Sequence, residues 1–173
     1  MSGSVTEPTV ILVTDTSVLV NYLRIDRMDL IGRLSIRFLV TDHAAGEILG
    51  DYPEQVVRFN RAIADNFIEV CSVSDDALEL FARLTSTARL GVGESASIAY
   101  ALSIGAALAI DDRRAIKEAR RIDDRVVILG TADIMCQLIR EGLITLAEAD
   151  AILLDWATNH RFKLKFQSFA EVL

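Results

Sequence analysis

The sequence predicts an α/β fold: one domain with a central parallel sheet of about five strands flanked by helices on both faces, an α/β/α sandwich. Three observations predict it. Short apolar runs rich in Val, Ile and Leu alternate with longer stretches of helical periodicity along the 173 residues. Those short runs are apolar at every position, as strands covered on both faces must be. Acidic residues recur around the strand–helix junctions, at Asp15, Glu47, Glu94 and the pair Asp111–Asp112.

The elements follow in order. Val10-Ile11-Leu12-Val13 is short and β-branched and reads as a buried strand. Asp15-Thr16-Ser17 can cap the next helix, which carries Val18, Leu19, Tyr22 and Leu23. Arg37 to Thr41 reads as the second strand, followed by a helix from near Asp42 to Gly50 with Asp42 as its cap. A further helix starts near Pro53, with Val56, Val57, Phe59, Ile63 and Ala64 as its apolar positions. Phe67 to Cys71 is the third strand. Ser74-Asp75-Asp76 resembles an N-cap, and Leu78, Leu80, Phe81 and Leu84 form a helical stripe. Gly91-Val92-Gly93 breaks the chain, Glu94 opens the next helix, and Gly105 ends it. Ala106 to Ile110 is the fourth strand. A helix from near Arg113 to Arg121 leads to a fifth strand, Val126 to Leu129. Gly130-Thr131 precedes a helix through Met135, Leu138 and Ile139, and Thr145 caps another through Ala151, Leu154 and Trp156. The expected organisation is a flexible lead at 1–8, a folded domain at 9–145, and a helical extension at 146–173, packed on the domain or binding a partner. Its last stretch mixes Arg161, Lys163 and Lys165 with Phe162, Phe166 and Phe169.

Composition narrows the function. Hydrophobic residues make up 51% of the chain and only two residues are proline, which excludes a disordered chain. The start, Met1-Ser2-Gly3-Ser4, has no basic n-region and no apolar h-region, so a cytoplasmic protein is expected. No apolar run approaches the roughly 20 residues of a membrane span. Cys71 and Cys136 match no metal spacing and read as reduced packing residues. His43 and His160 sit in no nucleophile motif. A net charge of −7 argues against binding nucleic acid by bulk electrostatics. It leaves room for a nuclease whose acidic centre is neutralised by metal. Basic residues also cluster directly after the acidic pair, at Arg113, Arg114, Lys117, Arg120 and Arg121.

Carboxylates gathered at one edge repel, and a divalent cation relieves the repulsion. An all-oxygen set without a Cys/His group suits Mg²⁺ or Mn²⁺ rather than zinc. The chemistry this favours is metal-assisted phosphodiester hydrolysis. Parallel sheets form their sites beyond the carboxyl ends of the strands, which is where Asp15 and Asp111 lie. Each acid also has a plain alternative. Asp15 and Asp111 can be helix caps, Glu94 suits the positive end of a helix, and Glu47 can be a solvated surface residue.

The motifs around these acids carry a family resemblance. Asp15-Thr16-Ser17-Val18-Leu19 resembles the opening motif of PIN-domain proteins. Thr41 to Ile48, ending in Glu47-Ile48, is similar to their second. Gly91-Val92-Gly93-Glu94-Ser95-Ala96 resembles the third, and Ala109-Ile110-Asp111-Asp112-Arg113-Arg114 the fourth. Gly130-Thr131 looks like the segment after the last strand in the bacterial and archaeal branch with Asp-Asp-Arg-Arg. The resemblance covers about residues 9–145 and implies a Mg²⁺/Mn²⁺-dependent endoribonuclease acting on single-stranded RNA. It commonly means a VapC-like toxin with an antitoxin protein as partner, and a homodimer. It implies Asp15, Glu47, Glu94 and Asp112 as the catalytic acids. Asp15, Glu94 and Asp112 would be metal ligands, with Asp111 as second candidate of its pair. Thr16 or Ser17 would supply a hydroxyl to water or the carboxylates, and Arg113 and Arg114 would hold RNA. The rival is a PIN-fold RNA-binding or protein-interaction module with a weak or inactive centre. A haloacid-dehalogenase-like phosphatase would need a second Asp where Ser17 stands. A dinucleotide site would need a third glycine after Gly91-Val92-Gly93.

Overall fold

The computed structural model describes residues 10–87 and 89–173. The lead expected at 1–8 lies outside the described residues. The order of elements is β1 (Val10–Thr14), α1 (Thr16–Arg24), α2 (Met28–Arg33), β2 (Ile36–Thr41), α3 (Asp42–Asp51), α4 (Pro53–Ala64), β3 (Glu69–Cys71), α5 (Asp75–Thr87), α6 (Val92–Ser103), β4 (Ala107–Ala109), α7 (Arg113–Ile122), β5 (Ile128–Leu129), α8 (Thr131–Arg140) and α9 (Leu146–Asn159). A single 3-10 turn, Phe169–Glu171, follows.

All five strands are parallel, in the order β3-β2-β1-β4-β5. The chain moves outward from β1 through β2 to β3, then crosses back to place β4 on the other side of β1. The switch point therefore falls between β1 and β4, where parallel sheets form their crevice. Leu12 pairs with Phe38 on one side and Ala107 on the other. Two apolar layers sandwich the sheet, and successive strand residues alternate between them. Leu12, Phe38, Val40 and Ala109 join the layer containing α1 to α4, α8 and α9. Val13, Leu39, Leu108 and Ile110 join the layer of α5, α6 and α7.

Three sequence expectations change. The helix α2 is not signalled by a long stripe, being one short piece with Met28, Leu30 and Ile31 buried. It follows a left-handed turn at Asp26, with φ 55°. Asp42 does not cap α3: Thr41 does, its hydroxyl accepting from Ala44 N–H at 3.2 Å. Asp42 turns instead to the His43 backbone and ring. The strands β3, β4 and β5 are shorter than their apolar runs, pairing only over Glu69–Cys71, Ala107–Ala109 and Ile128–Leu129. Gly105 ends α6 as expected, at φ +65°. Among the described residues, no helix is long and apolar enough to cross a membrane.

The α9 segment packs directly against α1. Trp156 is fully buried, its indole N–H donating to Asn21 O at 2.8 Å. Its ring meets Tyr22 and Phe162 edge-on, at 5.6 and 5.4 Å between centroids. Deleting a buried aromatic of this size costs about 3–5 kcal/mol. Trp156→Ala should lose stability on that scale in urea unfolding. A loss below about 1 kcal/mol would show that α9 contributes little to the core.

Candidate functional site

The strand β1 ends at Thr14 and turns directly into α1, so Asp15 stands at the carboxyl edge of the central strand. Its N–H donates to Ala109 O at 2.8 Å and so ties the ends of β1 and β4 together. Its side chain caps α1: Oδ2 accepts from the Ser17 N–H at 3.0 Å and the Ser17 hydroxyl at 2.7 Å. The residue is 2% exposed, and its other oxygen, Oδ1, is buried with no hydrogen-bond partner among the described residues. Leaving such an oxygen unpaired costs desolvation energy. Burial raises the carboxyl from 3.8 to about 6. The two hydrogen bonds from Ser17 oppose the rise, and the charges of Glu94 and Glu47 add to it.

Glu47 and Glu94 meet over the first turn of α6. Glu47 reaches from α3, and its Oε1 accepts from Gly93 N–H at 2.9 Å. Glu94 folds back so that Oε2 accepts from Gly91 N–H at 2.9 Å. This is one half of a capping box, because Gly91 has no side chain for the other half. A Cβ at position 91 would lie 3.6 Å from Glu94 Oε2 and 3.9 Å from Glu47 Oε1. A Cβ at position 93 would lie 2.5 Å from Glu47 Oε1, so only glycine leaves this carboxylate its place. The positive end of α6 helps to hold both charges.

Asp111 belongs to an adjoining network across the switch point. Its N–H donates to Ser17 Oγ at 3.2 Å, so Ser17 links the two acids. Its oxygens accept from the Thr131 N–H at 2.9 Å and the Thr131 hydroxyl at 2.6 Å. The buried Asn21 amide donates to Asp111 Oδ2 at 3.3 Å, Thr131 Oγ1 at 3.0 Å and Ser17 O at 3.1 Å. Burial raises the Asp111 carboxyl; the hydrogen bonds from Thr131 oppose the rise and Asp133 adds to it. A Cβ at Gly130 would come within 2.8 Å of Asp111 Oδ1, which explains the glycine before Thr131. Asp112 points elsewhere. It caps α7, with Oδ1 accepting from the Arg114 and Ala115 N–H groups, both at 2.9 Å.

Among the described residues, no three His, Cys, Asp or Glu side chains are grouped closely enough to form a finished metal cage. The feature that fits a divalent cation is the unpartnered Oδ1 of Asp15, with two further carboxylates acting on the same group. Oxygen-only donors of this kind suit Mg²⁺ or Mn²⁺.

A family model described as a PIN domain matches residues 11–173. The chain belongs to the PIN-domain family. No curated protein matches it. Among solved structures, it is similar to VapBC2 from Rickettsia felis bound to a DNA fragment from their promoter. That match has 13% identity and TM-score 0.50, and covers 69% of this chain and 98% of the other. VapBC-1 from nontypeable Haemophilus influenzae matches at 19% identity and TM-score 0.51, covering 70% and 98%. PAE2754 from Pyrobaculum aerophilum matches at 15% and 0.50, covering 78% and 91%. At these identities the likeness is one of fold.

In this PIN domain the residues singled out in the sequence separate into groups. Glu47 and Glu94 both act on Asp15, while Asp111 joins Asp15 through Ser17. Thr16 does not share that role. Its hydroxyl donates to Ala44 O at 3.0 Å and fastens α1 to α3, the helix of Glu47. Arg113 and Arg114 are exposed on the first turn of α7. Asn21 went unnoticed as a site residue. Its signal was a polar side chain inside the apolar stripe of α1, four residues after Ser17.

Two outcomes follow from this geometry. The raised carboxyl of Asp15 means that the folded state binds its proton more tightly than the unfolded chain does. The contribution of Asp15 to stability is therefore fullest below about pH 4, falls as pH rises to about 6, and is lower by about 3 kcal/mol above that. In EDTA, Asp15→Asn should melt above the parent at pH 7.5 and lose that advantage below pH 4; equal curves at both pH values would contradict the assignment. Gly→Ala in a helix normally gains up to about 1 kcal/mol. Gly93→Ala should gain less than that, because the Glu47 carboxylate must swing aside and loses its bond from the position-93 N–H, and a Glu47→Ala background should restore the gain. A double-mutant cycle with no coupling would refute the contact.

Proposed function

We propose that this PIN domain is a Mg²⁺- or Mn²⁺-dependent endoribonuclease that hydrolyses phosphodiester bonds of single-stranded RNA. We further propose that it serves as the toxin of a toxin–antitoxin pair. The observation that carries the nuclease reading is the buried, unpartnered Oδ1 of Asp15 beside the charges of Glu47 and Glu94. The VapBC neighbours support the pairing with an antitoxin protein. A homodimer and a cytoplasmic setting are part of the same proposal.

Asp15, Glu94 and Asp111 would hold the cation, with Asp112 offering the carboxylate oxygen that does not cap α7. When bound, the cation supplies positive charge that neutralises these acids, acidifies the attacking water and polarises the phosphate. Ser17 keeps Asp15 oriented through Oδ2 and leaves Oδ1 free. Glu47 would accept the water proton. Thr131 and Asn21 orient Asp111, whose two oxygens both accept hydrogen bonds. Arg113 and Arg114, exposed beside the acids in sequence, would grip the RNA backbone.

One observation favours the rival reading of a binding module: among the described residues the acids do not form a closed ligand set. Cleavage of a mixed single-stranded RNA pool separates the two. The pure protein should cut with Mn²⁺ or Mg²⁺ and not with EDTA, and Asp15→Asn should abolish cutting while remaining folded. Retention of RNA without cutting under every condition would favour the module.

A further inference from the structure

Away from the acids lies an open cleft of about 920 Å³. It is bordered by Arg24 at the end of α1, Tyr52 between α3 and α4, Arg58 on α4, and His160 and Arg161 after α9. Three arginines against one acid, Glu54, leave the lining positive in a chain whose net charge is −7. Their roles differ. Arg58 is structural: its guanidinium donates to Leu23 O at 2.8 Å and Arg24 O at 2.9 Å, and so closes the end of α1. It also lies near Asp26 and Glu54, at 3.6 and 3.8 Å. Arg24 spends one nitrogen on His160 O at 3.3 Å, and its fork has further donors to offer. Among the described residues, the ion pairs around the cleft join Arg58 to Asp26 and Glu54 and His160 to Asp155, and Arg161 enters none of them.

Arg161 holds a second clue. Its φ is +55°, at the turn where the His160 and Phe162 N–H groups both converge on Trp156 O. Glycine takes that left-handed position without strain, and an arginine there does not. The strain goes with a guanidinium at the cleft. Tyr52 is 60% exposed, leaving an aromatic face in water beside these cations.

The cleft is connected to the acids by the helices that carry them. α1 rises about 14 Å from Asp15 at its start to Arg24 at its end. Tyr52 follows Glu47 by only five residues, immediately after α3.

We infer that this cleft is a subsite for single-stranded RNA, in which Arg24 and Arg161 take a backbone phosphate and Tyr52 stacks on a base. It rests on the ribonuclease reading for its substrate and gives that reading a second point of attachment. Cations alone would suit an acidic peptide equally. The exposed ring favours a nucleic acid, because every base has a face to stack and sequence need not be read.

The test is fluorescence anisotropy in EDTA, with the full chain and a fluorescein-labelled short single-stranded RNA. A labelled oligoglutamate serves as the competing ligand class. The parent should bind the RNA. Arg161→Gly should weaken binding about tenfold while melting at the same temperature or higher, since the strain is removed. Tyr52→Ala should weaken it by a similar factor, in the range seen for loss of one stacked base. A protein that binds in EDTA through Arg161 and Tyr52 yet never cuts in Mn²⁺ would retain the subsite and lose the ribonuclease reading. Unchanged binding by Arg161→Gly and Tyr52→Ala would overturn the subsite. So would oligoglutamate binding as tightly as RNA, or no RNA binding by the parent.

Discussion

The Asp15 carboxylate sits where water reaches almost none of it, and the surrounding structure is arranged about that charge. It lies at the end of β1 because β1 is central, with β2 on one side and β4 on the other. Its backbone closes the ladder to β4, and its Oδ2 starts α1. One oxygen is therefore used for folding and the other is left open. The carboxyl is raised because burial outweighs the help from Ser17, and two more acids push in the same direction. A fold that only needed a helix cap would place it at the surface, where the cap costs nothing to charge.

Ser17 joins the two halves of the site. It donates to Asp15 and accepts from the Asp111 N–H, so the ends of β1 and β4 share one hydroxyl across the switch point. Asn21 extends the connection downward. Its side chain serves Asp111 and Thr131, while its carbonyl receives the indole N–H of Trp156. The C-terminal helix is thus coupled to the acidic edge through one turn of α1. Buried polar networks of this kind are costly unless each member is satisfied, and this one is nearly so. The glycines perform the complementary role. Gly93 and Gly130 leave room for Glu47 and Asp111 where any side chain would displace a carboxylate.

The strands, the alternation with helices and the acids at the junctions were all legible in the sequence, because continuous apolar runs and caps are local signals. Thr145 caps α9 with Glu148, as its position suggests. Gly105 ends α6 in the left-handed region. Other features were not local. Val57, Leu78 and Leu154 belong to apolar stretches yet are exposed, because the faces they lie on meet no neighbouring element. Met28 to Arg33 is too short to show a helical period, and its apolar residues are buried by the contacts of α2. Asp42 and Thr41 compete for one cap, and only the backbone turn shows that Thr41 takes it.

By itself the sequence determined the fold class, the family, and which acidic residues lie near the carboxyl edge of the sheet. These follow from periodicity and from the order of motifs, which are properties of neighbours along the chain. The tertiary structure decided what each acid does there. It turned Asp111 toward Asn21 and Thr131 and Asp112 toward the N–H groups of α7, although the two are adjacent and chemically alike. It gave Ser17 the carboxylate and Thr16 a carbonyl of α3. It brought Arg24, Tyr52 and Arg161 to one cleft from three distant parts of the chain. Such choices depend on direction and burial, and these are set only when separate elements pack against one another.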